Sequence, residues 1–150
     1  MPSNTQANEL NSTLEDQLCY LLSSAHRNIQ GNLDGLLKSE DLSVEQWRIL
    51  SVLSDGKGHT MGRLAVQSLL NHPALTKKID KMIMRALVHR KHDQEDHRRV
   101  LVYISDFGRE LVARGTVRVD DFQSALEERL GSGRAGELRQ LLLEVIGESH

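Results

Sequence analysis

Three groups of side chains in this 150-residue chain have the types and spacing to do chemistry. The first is cationic: Lys77 and Lys81 stand four residues apart with Lys78 on their flank, Asn71, His72, Ala74 and Thr76 lie just upstream, and Arg98 and Arg99 follow Asp96 further along. Ammonium and guanidinium groups collected in one segment suit a phosphate backbone, because each neutralised phosphate releases condensed counterions. The second group is Cys19 and His26, seven residues apart on one side of a helix beside Leu22 and Leu33. A thiol there is either a structural or cleft-lining side chain or a redox group, and the imidazole is either a polar anchor or a helix histidine with no role. The third is His89, His92 and Asp93, which have metal-ligand types but no second cysteine and no regular helical spacing, so solvation of a charged loop is the better reading than zinc.

Net charge is −2, which looks wrong for a nucleic-acid partner until it is divided along the chain. Residues 57–99 hold ten Lys or Arg against four Asp or Glu, or +6, and the remainder holds nine against seventeen, or −8. Five of the seven histidines fall in the same basic segment. A solvated face is the usual meaning of a charge run, but this one coincides with a recognisable pattern of elements.

Those elements begin with Leu14, Leu18, Leu21, Leu22, Ala25, Ile29, Leu33 and Leu36, whose spacing predicts a long amphipathic helix, kinked or ended near Gly31 or Gly35. Ser43 and Gln46 form a capping-box pair opening a helix through Trp47, Leu50 and Leu53, which Asp55-Gly56-Lys57-Gly58 stops. Thr60 caps a short helix with Met61, Leu64 and Ala65. After a turn at residues 68–71, Pro73 fits the first position of the next helix. There Leu75, Ile79, Met82, Ile83 and Ala86 share an apolar face opposite Ala74, Lys77 and Lys81. Residues 86–91 and 100–105 read as two short strands around a charged tip at 93–99, a β-ribbon wing behind a helix-turn-helix. Leu111, Val112, Val119, Phe122, Leu126 and Leu130 mark another long helix, weakened at Gly115. Past a turn at 131–133, Leu138, Leu141, Leu142, Val145 and Ile146 mark a last one.

The expected fold is therefore mainly α with a small β-wing: one domain over 1–150, with a winged helix-turn-helix at 43–105 and helices at 10–38 and 109–148. The end helices carry apolar stripes that a compact lobe of this size does not cover, so they are expected to form a homodimer presenting two recognition helices to double-stranded DNA. The polar N-terminus and the lack of any run of 18 apolar residues predict a cytoplasmic protein without a membrane partner. One cysteine permits no internal disulfide. With no glycine-rich phosphate loop and no Ser-His-Asp order, neither enzymatic activity nor a cofactor is expected.

In order and spacing, Leu42-Ser43-Val44-Glu45-Gln46-Trp47-Arg48-Ile49-Leu50, Leu64-Ala65, residues 75–82, Leu87-Val88-His89-Arg90 and Asp96-His97-Arg98-Arg99-Val100 resemble the MarR (multiple antibiotic resistance regulator) family of dimeric winged helix-turn-helix transcription factors. Ala86 departs from the glycine usual before Leu-Val, implying a slightly altered helix exit. The resemblance implies that Arg98 enters the minor groove, where an arginine meets strong negative potential, with Asp96 fixing it by an ion pair. It also implies an effector cleft between the first helix, the helix of Trp47 and the DNA-binding lobe, lined by Cys19, Leu22, His26 and Trp47 and suited to a small aromatic acid or its thioester.

Residues 14–22 are similar to the first helix of the organic hydroperoxide sensors of that family, whose cysteine is activated by tyrosines. The matching positions here are Ser23, Leu33 and Val44, which supply no phenol. The expected function is a repressor released from its operator by a small molecule. The alternatives are a peroxide sensor acting through Cys19 and a constitutive architectural DNA-binding or adaptor protein.

Overall fold

The structure, a computed structural model, describes residues 13–147. Residues 10–12 and 148, at the edges of the expected end helices, lie outside the described residues. After a single 3-10 turn at Leu14–Asp16, helix α1 runs over Leu18–Leu37 without a break at Gly31 or Gly35. A second 3-10 turn, Lys38–Glu40, leads to Asp41 in the left-handed region (φ 52°) and on to α2, Val44–Leu53. The capping box is present as expected: the Gln46 N–H donates to Ser43 Oγ at 3.2 Å and the Ser43 N–H to Gln46 Oε1 at 3.0 Å.

Strand β1 is only His59–Thr60, and Thr60 caps α3, Met61–Ser68, by accepting the Arg63 N–H at 3.2 Å. Helix α4 spans His72–Met84 with Asn71 as its cap, so Pro73 occupies the second helical position rather than the first. Either site lacks an intrahelical acceptor, so the proline costs nothing there. Strands β2 (Val88–His92) and β3 (Val100–Ile104) form the wing, and β1 completes a three-stranded antiparallel sheet in the order β1-β3-β2. Val88 lies opposite Ile104, His92 opposite Val100, and His59 opposite Val102. Ala86 and Leu87 form the helix exit instead of the strand's start, and Ser105 is a helix cap instead of its end.

Helix α5 is continuous over Asp106–Leu130. Gly115 does not weaken it. A Cβ there would lie 2.9 Å from Leu37 Cδ2 and 3.3 Å from Trp47 Cδ1, so its bare backbone is what lets α1, α2 and α5 approach. A turn at Gly131 (φ 89°) leads straight into α6, Ser132–Gly147.

One hydrophobic core, from Leu33 and Leu37 through Leu50, Leu64, Leu75, Ile79 and Val102 to Leu111 and Val119, fills the helix-turn-helix and the roots of the long helices. The N-terminal half of α1 and most of α6 lie outside it. Leu18, Leu21, Leu141 and Ile146 are exposed, and between α1, α5 and α6 runs an apolar groove of about 650 Å³. No described helix is long and apolar enough to cross a membrane.

Candidate nucleic-acid interface and effector cleft

Helix α4 buries Leu75, Ile79 and Met82 completely and leaves Asn71, His72, Thr76, Lys77 and Lys81 exposed, with Ala74 half-buried. The split follows from apolar residues three and four positions apart. Asn71 Oδ1 is engaged as the cap, accepting the Ala74 N–H at 2.9 Å, and the Thr76 hydroxyl donates to the His72 carbonyl at 3.0 Å. Lys78 departs from the expected outward set. It is half-buried, with Nζ 3.4 Å from Ser43 Oγ at the start of α2, because its position on the helix turns toward the lobe.

The wing tip also differs from expectation. Asp96 makes no ion pair with Arg98 among the described residues; its Oδ1 accepts the Arg98 backbone N–H at 3.1 Å. The spacing of two residues favours this local turn, in which a carboxylate caps a nearby N–H. Arg98 is thus held by its main chain with its guanidinium unengaged by that carboxylate. Arg99 has Nε 3.8 Å from Asp93 Oδ2.

Recognition helix and wing are fixed to the rest of the fold by polar links. Ser105 Oγ donates to the Ala86 and Leu87 carbonyls (2.6 and 2.9 Å) while accepting the Gly108 N–H at 2.9 Å, which ties the first turn of α5 to the exit of α4. Any side chain at Gly108 would strike the Leu87 carbonyl. At the end of α2, the Asp55 carboxylate lies 2.8 and 3.0 Å from His59 Nε2, anchoring β1. The Lys57 N–H donated to Asp55, joined by His59, holds this carboxyl below its ordinary value despite some desolvation. Arg85 Nη1 donates to the Asp41 carbonyl at 2.5 Å, and Arg114 Nε to Glu40 Oε2 at 2.8 Å, joining α4 and α5 to the α1–α2 connection.

Trp47 lies on α2 facing α5, and its indole N–H donates to Thr116 Oγ1 at 3.1 Å. Beside it is a cleft of about 530 Å³ lined by Trp47, Ser51, Ser54, Arg109, Val112, Ala113 and Thr116. Of the four residues expected to line such a cleft, only Trp47 does so. Cys19, Leu22 and His26 line none of the described cavities; Cys19 and His26 are exposed and Leu22 is half-buried. The reason is geometric: α1 packs through Ile29, Leu33 and Leu37, and its first turns stand clear of the chain's core. Arg109, Val112, Ala113 and Thr116 are cleft residues that the sequence reading does not single out, although their spacing of three and four along α5 marks one helical face. Leu33 and Val44, at two of the positions where hydroperoxide sensors carry tyrosine, are buried core residues. Among the described residues no group of three or more His, Cys, Asp or Glu is arranged to hold a metal ion.

This arrangement of three-helix lobe, wing and flanking long helices defines a winged helix-turn-helix protein, and comparison with known proteins agrees. Residues 40–99 match the model of the MarR family. The chain is 30% identical over 95 residues to the organic hydroperoxide resistance transcriptional regulator of Bacillus subtilis, an alignment taking in 63% of this chain and 65% of that one. With the homoprotocatechuate degradative operon repressor of Escherichia coli it shares 23% identity over 133 residues, or 89% and 90% of the two chains. The fold matches that of CouR bound to a 23-mer DNA duplex, with a TM-score of 0.81 at 22% identity over 89% of this chain and 94% of that one. CouR from Rhodococcus jostii RHA1 bound to p-coumaroyl-CoA gives a TM-score of 0.80 at 23% identity over 90% and 95%. The chain is similar to MarR-family regulators across its winged helix-turn-helix segment.

Proposed function

We propose that this protein is a cytoplasmic, homodimeric repressor that binds a double-stranded operator through α4 and the wing and leaves it when a small aromatic acid or its thioester occupies the Trp47 cleft. The observation carrying this reading is the separation of two surfaces on one frame. Among the described residues the side chains of Lys77 and Lys81 on α4 and of Arg98 at the wing tip make no hydrogen bond or ion pair, and the cleft lies apart from them across the Ser105 and Asp55 links. Asn71, His72, Ala74, Thr76, Lys77 and Lys81 approach the major groove; Asp96, Arg98 and Arg99 shape and supply the minor-groove contact. Lys78 supports the helix from behind.

The groove between α1, α5 and α6 supports the dimer, since those apolar side chains are otherwise left in water. A relative that represses a homoprotocatechuate degradative operon and a fold neighbour bound to p-coumaroyl-CoA support an aromatic effector. Release is a population shift: the occupied cleft favours a spacing of the two α4 helices that no longer fits half-sites one turn, about 34 Å, apart.

The test is selection of bound fragments from a genomic duplex library, followed by titration of the selected site with salt and with aromatic acids and thioesters. A two-fold symmetric site, steep weakening with salt and release by one of these compounds are expected. Binding without sequence preference would instead fit an architectural protein.

The exposed Cys19 and the Bacillus subtilis relative favour one second reading, a peroxide-sensing repressor. Release by organic hydroperoxide that vanishes in Cys19→Ser would establish it. The absence of tyrosine at Ser23, Leu33 and Val44 argues for slow reaction of this thiol.

A further inference from the structure

The hydrogen-bonding inventory of the Trp47 cleft is lopsided. The Ser51 hydroxyl donates to the Trp47 carbonyl and the Ser54 hydroxyl to the Leu50 carbonyl, both at 2.7 Å, so each serine has spent its only proton inside α2. The indole N–H of Trp47 is spent on Thr116. Two groups remain that can donate to a ligand. One is the Thr116 hydroxyl, which accepts from the indole and keeps its own proton. The other is the guanidinium of Arg109, with five N–H bonds of which one reaches the Ser54 carbonyl at 3.1 Å. Among the described residues Arg109 is the only charged side chain lining the cleft, and it has no carboxylate partner there. Its position is set by the Ser54 carbonyl and by the close approach of Gly56, where an added Cβ would lie 3.1 Å from Nη2. The remaining walls, Trp47, Val112 and Ala113, are apolar.

We propose that Arg109 is the acid-selecting residue of the cleft: its guanidinium takes the effector's carboxylate, so the free acid is the effector and the thioester or ester is not. The inference rests on the reading of the Trp47 cleft as the effector site and sharpens it. A ring lies against Trp47, Val112 and Ala113, and the carboxylate forms paired charge-assisted hydrogen bonds with the guanidinium. A thioester or ester offers Arg109 only a neutral carbonyl. The same residue supplies the route to DNA. The Arg109–Ser54 bond joins the first turn of α5, which holds the α4 exit through Ser105, to the end of α2, which holds β1 through Asp55 and His59. A carboxylate competing with the Ser54 carbonyl loosens that joint.

Trp47 is the chain's single tryptophan, so its fluorescence reports the cleft directly. The experiment titrates full-length protein with phenylacetate, 4-hydroxyphenylacetate and 4-hydroxycinnamate, each beside its methyl ester, and follows operator release in parallel. In the wild type an acid binds about tenfold to a hundredfold more tightly than its ester and releases the operator. In Arg109→Gln, checked for native circular dichroism, the acid falls to the ester's level; Arg109→Lys, which keeps the charge, recovers part of the preference. The unliganded Arg109→Gln protein also holds the operator more weakly, because the joint to Ser54 is gone. Equal binding of acid and ester to the wild type, or an acid preference surviving in Arg109→Gln, overturns the role of Arg109 while leaving the cleft as effector site. No fluorescence change and no release with any of the six compounds overturns both.

Discussion

The helix-turn-helix lobe and the helical ends are built from the same kind of sequence and reach opposite outcomes. Both consist of apolar residues at three- and four-residue spacing. In the lobe Leu50, Leu64, Leu75, Ile79 and Met82 are completely buried, whereas at the ends Leu18 remains 69% exposed and Leu141 58%. Periodicity fixes that a stripe exists and is silent on what covers it. The lobe's stripes close on one another because α2, α3, α4 and the sheet are short and joined by tight turns. The first turns of α1 and most of α6 find no cover among the described residues of their own chain. In the proposed function the part that meets DNA is thus self-contained, while the part that sets the spacing between two such lobes depends on a second copy.

The sharpest way to break this contrast is to damage each region in turn. Leu50→Ala opens a cavity inside the self-contained lobe and is expected to cost about 2–5 kcal/mol, seen as a fall in thermal midpoint at every protein concentration. Replacing Leu138 and Leu142 together by Glu places charge in the apolar groove between α1, α5 and α6. The expected result is a shift from dimer to monomer in sedimentation at micromolar concentration, with the circular dichroism of the lobe retained and thermal stability newly independent of protein concentration. A wild type that sediments as a monomer, or a double variant that stays dimeric, would remove the distinction.

The same contrast decides how much of the molecule is legible in its residues alone. The capping pair Ser43–Gln46, the cap at Thr60, the apolar face of α4 and the strand at 100–104 are local signals, and each lies where the residues indicate. Strand β1 escapes a reading of the sequence because two residues carry no period; it exists through pairing of His59 and Thr60 with Val102 and Leu101 across the chain. Gly115 reads as a weakness because its reason, the contact with Leu37 and Trp47, is tertiary. The cleft is the least legible. Its walls come from α2 and α5, about a lobe's length apart in sequence, and only Trp47 announces it.

Smaller effects are expected on the DNA face, where they separate outward from inward lysines. Arg98→Ala should weaken operator binding by about 1–3 kcal/mol, with sequence preference relaxed at the minor-groove position. Lys77→Ala should weaken binding to all sequences alike and lower the salt slope by about one. Lys78→Ala should barely alter the salt slope, because that ammonium lies against Ser43, and should show instead as a small loss of stability. Anisotropy titrations across salt concentration check all three. An equal loss of slope for Lys77→Ala and Lys78→Ala would mean that the helix face has been assigned wrongly.

The smallest expected effect lies within the lobe, at the C-cap of α3 and the exit of α4. Leu69 (φ 60°) precedes α4 and Ala86 (φ 58°) follows it, both in the left-handed region and both exposed. Ala86 adopts the conformation that suits the glycine usual at that point, so the departure in sequence leaves a left-handed exit in place. A side chain there costs roughly 1–2 kcal/mol, while glycine returns about 0.5–1 kcal/mol of that through the greater freedom of the unfolded chain. Ala86→Gly and Leu69→Gly are therefore each expected to stabilise by a few tenths to about 1 kcal/mol, since neither exposed side chain gives up much packing. Gly58 (φ 74°) supplies the control: a Cβ there would meet the Tyr103 ring at 2.5–2.9 Å, so Gly58→Ala should destabilise. Chemical denaturation of the three variants measures the differences. A loss of stability in Ala86→Gly would show that the alanine methyl is supporting the α4 exit beside Ser105, and that the helix is held there by packing rather than by its polar links.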